Sequence, residues 1–270
     1  MPHPELRSDP RIDALRPWYH DFSSLGLDTG SAPAGKLRRA AARFVQLFSR
    51  TLPGGLGRSL NRRASALRSS AHRINQGHKE SVLVPFLEEA LRRLHKEPSC
   101  VDLFCSDGYY CCVIARISPA ADVLGVDLGE SDLERARLAS RLLEMEKIRF
   151  AREDVPSFVS QVAGRFDLVF CAGGLYHLDE PRALLADLRR VCSGFLVLQT
   201  VVSLENEASD YFESPAPGWS HGCRFSHARL AGWLEELGWR VKKTERNELT
   251  GNNRPRDRGS SYFLCETPPG

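Results

Sequence analysis

Hydrophobic positions change their rhythm near residue 98. Upstream, residues 36–50 place Leu37, Ala41, Phe44, Val45 and Phe48 on one helical face, and segment 51–57 (TLPGGLG) breaks that helix. Two more helical stretches follow, around 59–73 and over 78–94, with Pro85 expected to kink or restart the second. Downstream, short apolar runs alternate with amphipathic stretches of helical period. The runs 99–104, 122–128, 147–155, 165–173 and 193–202 read as strands. Helices are predicted between them: 109–117; 131–146, with Ser131 as cap and Glu134 completing a capping box; and 181–191, with proline in its first turn. A helix over 225–239 is stopped by Gly238, and two strands, 239–246 and 260–266, close the chain with no helix between them. Strand–helix alternation predicts α/β architecture: a Rossmann-like, doubly wound, mostly parallel seven-stranded sheet with an antiparallel C-terminal hairpin. The expected division is an N-terminal arm and basic helical extension over 1–77, then the α/β domain over 78–270.

Composition narrows the class of protein. The 270 residues have ordinary globular composition, and no apolar run approaches the roughly 20 residues of a membrane span. The polar N-terminus has no signal-peptide core, so a cytoplasmic location is expected. Charge is uneven: between Thr29 and Lys79 there is no acidic residue, whereas Lys36, Arg38, Arg39, Arg43, Arg50, Arg58, Arg62, Arg63, Arg68, Arg73 and Lys79 are basic. Such a block is a candidate anion site, a solvated helical face or a homodimer surface. The eight cysteines form no CxxC pair, and several sit in apolar runs, where free cysteine behaves as a small hydrophobe. The cluster His221, Cys223 and His227 lacks paired metal ligands, so no metal is expected.

In a doubly wound sheet, ligands bind beyond the carboxyl ends of the strands. Asp102 and the turn Phe104-Cys105-Ser106-Asp107-Gly108 follow the first strand, and Asp127 and Leu128 end the second. An acid at the end of strand two is placed to accept from both hydroxyls of a ribose. After strand three, Asp154, or Glu153 one residue earlier, is a candidate acceptor for an adenine amino group, with Val155 packing on the ring. Cys171, Tyr176 and His177 follow strand four.

These residues resemble the class I S-adenosylmethionine-dependent methyltransferases, whose first motif reads roughly DxGxGxG. The resemblance covers about 98–266, with Asp102, Gly108, Asp127 and Asp154 in the family positions and Phe104 and Ser106 where glycine is usual. It implies S-adenosyl-L-methionine as cofactor, held by Asp102, Phe104, Cys105, Ser106, Gly108, Asp127, Leu128, Asp154, Val155 and Cys171. Segment 173–191 with 195–200, the SDGYY turn and an upstream Trp18-Tyr19-His20 element are also similar to the tRNA wobble-uridine branch, which includes a carboxymethyltransferase. That branch implies a carboxylated cofactor needing a cation near Tyr176, for which Arg258 is a candidate.

Methyl transfer to a hydroxyl requires a base. His177 is the first choice, beside Tyr176 near the sulfonium, with His20 and His221 in reserve. Segment 203–225 is long and aromatic. Its Tyr211, Trp219 and His221, with the arm's Trp18, Tyr19 and His20, are expected to form the acceptor pocket and lid. Three functions follow: methylation of a small-molecule hydroxyl or amine; tRNA modification, with segment 36–79 on phosphates; or a cofactor-binding module without catalysis, consistent with Phe104 and Ser106.

Overall fold

The computed structural model describes residues 6–30 and 56–268, with side chains from residue 70 in the second block. The helix predicted over 36–50, and the basic side chains between 36 and 68, lie outside the described residues. Strands β1 (Ser99–Leu103), β2 (Asp122–Asp127), β3 (Ile148–Arg152), β4 (Phe166–Ala172) and β5 (Cys192–Val202) are parallel. β8 (Arg240–Glu248) and β9 (Gly259–Glu266) are antiparallel, and the sheet order is β3-β2-β1-β4-β5-β9-β8. This is the expected seven-stranded sheet with its C-terminal hairpin. A two-stranded ladder, β6 (Phe212–Glu213) with β7 (Arg224–Phe225), closes the insert that the sequence reads as loop.

The period-two alternation of each strand feeds two cores. On β5, Phe195 and Val197 face one core, and Leu196 and Leu198 the other. Helices α5 (Val155–Gln161), α6 (Pro181–Val191) and α7 (His227–Glu236) cover the second. Helices α2 (Leu56–Arg93), α3 (Tyr109–Ile117) and α4 (Glu130–Leu142) cover the first.

Two expectations are corrected. The stretches 59–73 and 78–94 are one helix, α2, running through Gly77 and Pro85. Its stripe Leu83, Phe86, Leu87, Ala90 and Leu91 is buried on the sheet, and this burial outweighs the hydrogen bond Pro85 removes. The expected boundary at 77/78 falls inside this helix. Helix α4 starts before Ser131: Gly129 is its N-cap and donates its N–H to Asp127 Oδ1 at 2.8 Å, while Glu130 and Asp132 complement the dipole in the first turn.

The N-terminal arm is part of the first core. Ile12, Trp18, Phe22, Leu25 and Leu27 are buried in it, and Trp18 Nε1 donates to the Ile12 carbonyl at 3.0 Å. Short helix α1 (Pro10–Ala14) is capped by Asp9. Three arginines of the domain and the arm staple the two together: Arg116 donates to the Ser24 and Leu25 carbonyls, Arg135 to that of Leu15, and Arg7 to that of Leu142.

Candidate functional site

The turn after β1 sits at the carboxyl end of the sheet, between β1 and α3. Three of its residues are left-handed: Phe104 (φ 61°), Ser106 (φ 50°) and Gly108 (φ 75°). Two are not glycine, so the turn stores strain of order 1–3 kcal/mol at each. Gly108 is required by contact as well as φ, because a Cβ there would lie 2.8 Å from the Ala136 Cβ. The strained path points backbone amides toward β2. The Ser106 N–H donates to Asp127 Oδ2 at 2.9 Å, while Asp127 Oδ1 takes the Gly129 N–H. Asp127 is thus fixed at the end of β2, with lone pairs remaining on both oxygens.

Leu128, beside it, is 58% exposed, an unusual setting for leucine and a surface on which a base could pack. Val155 and Cys171 are buried. The Asp154 carboxylate caps α5, Oδ2 accepting from the Ser157 N–H at 3.1 Å and from the Ser157 hydroxyl at 2.9 Å. Asp102 is buried under the turn and accepts from the Cys111 thiol at 3.1 Å. Burial, with repulsion from Asp127 and Asp107, pushes its carboxyl up to about 7 against the opposing Cys111 bonds. Burial also raises the Cys105 thiol, to about 11.

Phe104 turns toward strand four. A Cβ on Gly174 would fall 2.0 Å from its ring, so the phenyl lies against that glycine's backbone and bridges the β1 turn and the β4 loop. Tyr176 and His177 follow in a 3-10 turn, rings 4.1 Å apart; Tyr176 is half-buried and His177 exposed. The insert docks here through backbone: the Cys223 N–H donates to the Tyr176 carbonyl, and the Gly222 N–H to Asp179 Oδ1. Within the insert, Trp219 and His221 are exposed, and the Tyr211 hydroxyl donates to Glu213. The cation over the Tyr176 ring is Arg224, at 5.8 Å, itself bonded to Asp257 and the Cys223 carbonyl; Arg258 pairs with Glu248.

The arm meets the turn at Asp107, which the sequence gives no role. This carboxylate is fully buried and accepts the Tyr19 N–H at 2.8 Å and the His20 N–H at 2.7 Å; His20 Nδ1 lies 2.6 Å from its other oxygen. Burial alone would raise its pKa, but His20 and the two amides outweigh burial and hold it below the ordinary carboxylate range. His20 stacks on Tyr109, ring centroids 4.9 Å apart. Trp18 is interior, and Tyr19 is partly exposed, its carbonyl 2.6 Å from His72 Nε2.

Lys79 is a second residue that sequence reasoning passes over, as one more member of the basic block. It is half-buried on α2, and its Nζ lies 3.9 Å from where a Cβ on Gly173 would sit, at the end of β4. Burial lowers its ammonium to about 8. The usable signal is position: it is the last cation of the block, on the helix that packs over the strand ends. His221, Cys223 and His227 do not converge, His227 instead contacting Ser261 and stacking on Phe263. Among the described residues no group of three acidic, histidine or cysteine side chains could hold a metal, and no helix is long and apolar enough to cross a membrane.

A seven-stranded sheet of this order, with an acid ending β2 and a glycine-containing turn after β1, is the architecture of the class I S-adenosylmethionine-dependent methyltransferases. A methyltransferase domain model matches residues 94–240, more than half of the chain, and the chain belongs to that family. It is similar to a tRNA U34 carboxymethyltransferase of Dichelobacter nodosus (37% identity over 103 residues, 36% of this chain and 33% of the relative). It also resembles a ubiquinone biosynthesis O-methyltransferase of Acinetobacter baylyi (31% identity over 85 residues, 32% of this chain and 35% of the relative). These matches span about a third of the curated relatives' length. Among solved structures, the N-terminal domain of EvdMO1 with SAH bound superposes with a TM-score of 0.57 at 21% identity, covering 96% of this chain and 95% of that one, which is a likeness of fold.

Proposed function

We propose that the chain transfers a methyl group from S-adenosylmethionine to a hydroxyl or amine of a small molecule. The observation that carries this reading is Asp127, held at the tip of β2 by the Ser106 and Gly129 amides with lone pairs to spare for two ribose hydroxyls. Leu128 and Val155 would pack on the adenine, and Lys79 would pair with the cofactor's carboxylate at the end of β4. Bound there, the cofactor supplies a methyl carbon already activated by a positive sulfur. The chain's own residues then need to align the acceptor and remove its proton. What favours His20 over His177 for the proton is its setting: a buried carboxylate orients its Nδ1, and no described group bonds its Nε2, whereas His177 and His221 are exposed. The arm and the 203–225 insert, which reaches the Tyr176 backbone, would wall the acceptor pocket.

Calorimetric titration with S-adenosylhomocysteine tests the reading. Asp127→Ala is expected to weaken binding by at least about tenfold, the loss of two hydrogen bonds to a charged group; unchanged affinity removes the assignment. Modification of tRNA rests on the named relatives and the basic segment, and predicts RNA affinity that falls steeply with salt.

A further inference from the structure

We infer that Asp107 couples docking of the N-terminal arm to occupancy of the cofactor turn, so that residues 6–30 act as a strap that tightens when the nucleotide site fills. The inference rests on the cofactor reading above and assigns Asp107 as a positioning residue. Asp107 lies between Ser106 and Gly108, both left-handed, and Ser106 is the residue whose amide holds Asp127. Its carboxylate receives the Tyr19 and His20 amides and the His20 ring, 87 and 88 residues away in sequence. With the arm released, a fully buried carboxylate loses every one of these partners, and the turn loses the ties that fix its strained middle. With the arm docked, the turn is held in the shape that aims the Ser106 amide at Asp127. Any ligand that needs that shape therefore binds the docked state more tightly, and by linkage strengthens docking by the same factor.

Five arm side chains, Ile12, Trp18, Phe22, Leu25 and Leu27, stay buried in the first core, so the strap loosens by local opening at its polar contacts and not by leaving the sheet. Its polar staples are the arginine–carbonyl bonds at Ser24, Leu25, Leu15 and Leu142, most of them at exposed or partly exposed positions. Segment 18–29 is internally braced: the Phe22 N–H donates to the Thr29 hydroxyl at 2.9 Å, and Trp18 packs edge-on to Phe22. It can dock as one unit. Docking also brings Tyr19 and His20 to the turn together, so the candidate base would be in place only when the strap is down.

Amide hydrogen exchange across residues 17–27, read with and without S-adenosylhomocysteine, tests the coupling alongside calorimetric affinity. In the wild type, the ligand is expected to slow exchange of this segment at least about fivefold. Asp107→Asn should abolish that protection and weaken S-adenosylhomocysteine about tenfold. Arg116→Ala touches neither turn nor crevice and should speed exchange of the segment in the free protein, while S-adenosylhomocysteine still slows that exchange at least about fivefold, because the coupling belongs to Asp107 and not to the staple. It also decides the matter if Asp107→Asn does not fold. The strap is overturned if the wild type binds the ligand with segment exchange unchanged, or if Arg116→Ala loosens the arm and the ligand no longer slows its exchange; in both cases the cofactor reading stands. A wild type that binds no S-adenosylhomocysteine overturns the cofactor reading and the strap with it.

Discussion

Asp102 lies beneath the cofactor turn, accepting from the Cys111 thiol, and burial raises its pKa from 3.8 to about 7. That rise corresponds to about 4 kcal/mol, taking about 1.36 kcal/mol for each tenfold change in the acid constant, a ceiling that relaxation of the turn would lower. The sign follows from the raised folded value. Below pH about 4 the carboxyl is protonated in both states and nothing is lost; as pH climbs toward 7 the unfolded chain ionises while the native one resists, and stability falls. Above pH 7 the loss is complete and constant. Asp102→Asn removes the titration and keeps an oxygen for the Cys111 thiol. Urea unfolding of both proteins at pH 4, 5.5, 7 and 8.5, without ligand, should show the variant gaining steadily on the wild type across this range, by up to about 4 kcal/mol. A stability difference that stays flat between pH 4 and pH 8.5 would refute the reasoning, since no other group differs between the two proteins.

Trp18→Ala empties a fully buried site in the first core and should destabilise by about 3–5 kcal/mol in urea unfolding, showing that the arm belongs to the folded unit. Lys79→Met should weaken S-adenosylhomocysteine about tenfold at pH 7. Because burial holds the lysine at about 8, wild-type affinity should decline as pH passes 8 while the variant's does not follow. Gly174→Ala drives a methyl into the Phe104 ring and should destabilise by about 1–3 kcal/mol; adding Phe104→Ala should recover most of that loss, measured as a double-mutant cycle in thermal melts.

The sheet was legible in the sequence because burial on both faces writes itself as short apolar runs bounded by turn residues, and the runs at 99–104, 122–128 and 165–173 become β1, β2 and β4 nearly in place. Asp127 was legible for the same reason: it ends a strand. What escaped depends on contacts between distant residues. Pro85 looks like a break in α2, and only the buried stripe from Leu83 to Leu91 says otherwise. Asp107 looks like any turn aspartate until the arm arrives from almost ninety residues upstream. Asp154, a candidate ligand contact from its place after strand three, also caps α5 through Oδ2, a local use that the following proline and serine foreshadow. The ladder of β6 and β7 is too short for any periodic signal.

β9 follows β8 in the chain, yet it sits between β5 and β8 in the sheet. Its whole length, Gly259–Glu266, is needed to bridge them. Translation runs from the N-terminus at about 5–20 residues per second, so β8 emerges with no neighbour to pair with, and β5 waits with an open edge until Glu266 has cleared the ribosome. A nonsense codon or proteolytic nick shortly before Gly259 would therefore unmoor β8 and expose two unpaired edges, the surface on which strand-to-strand aggregation begins.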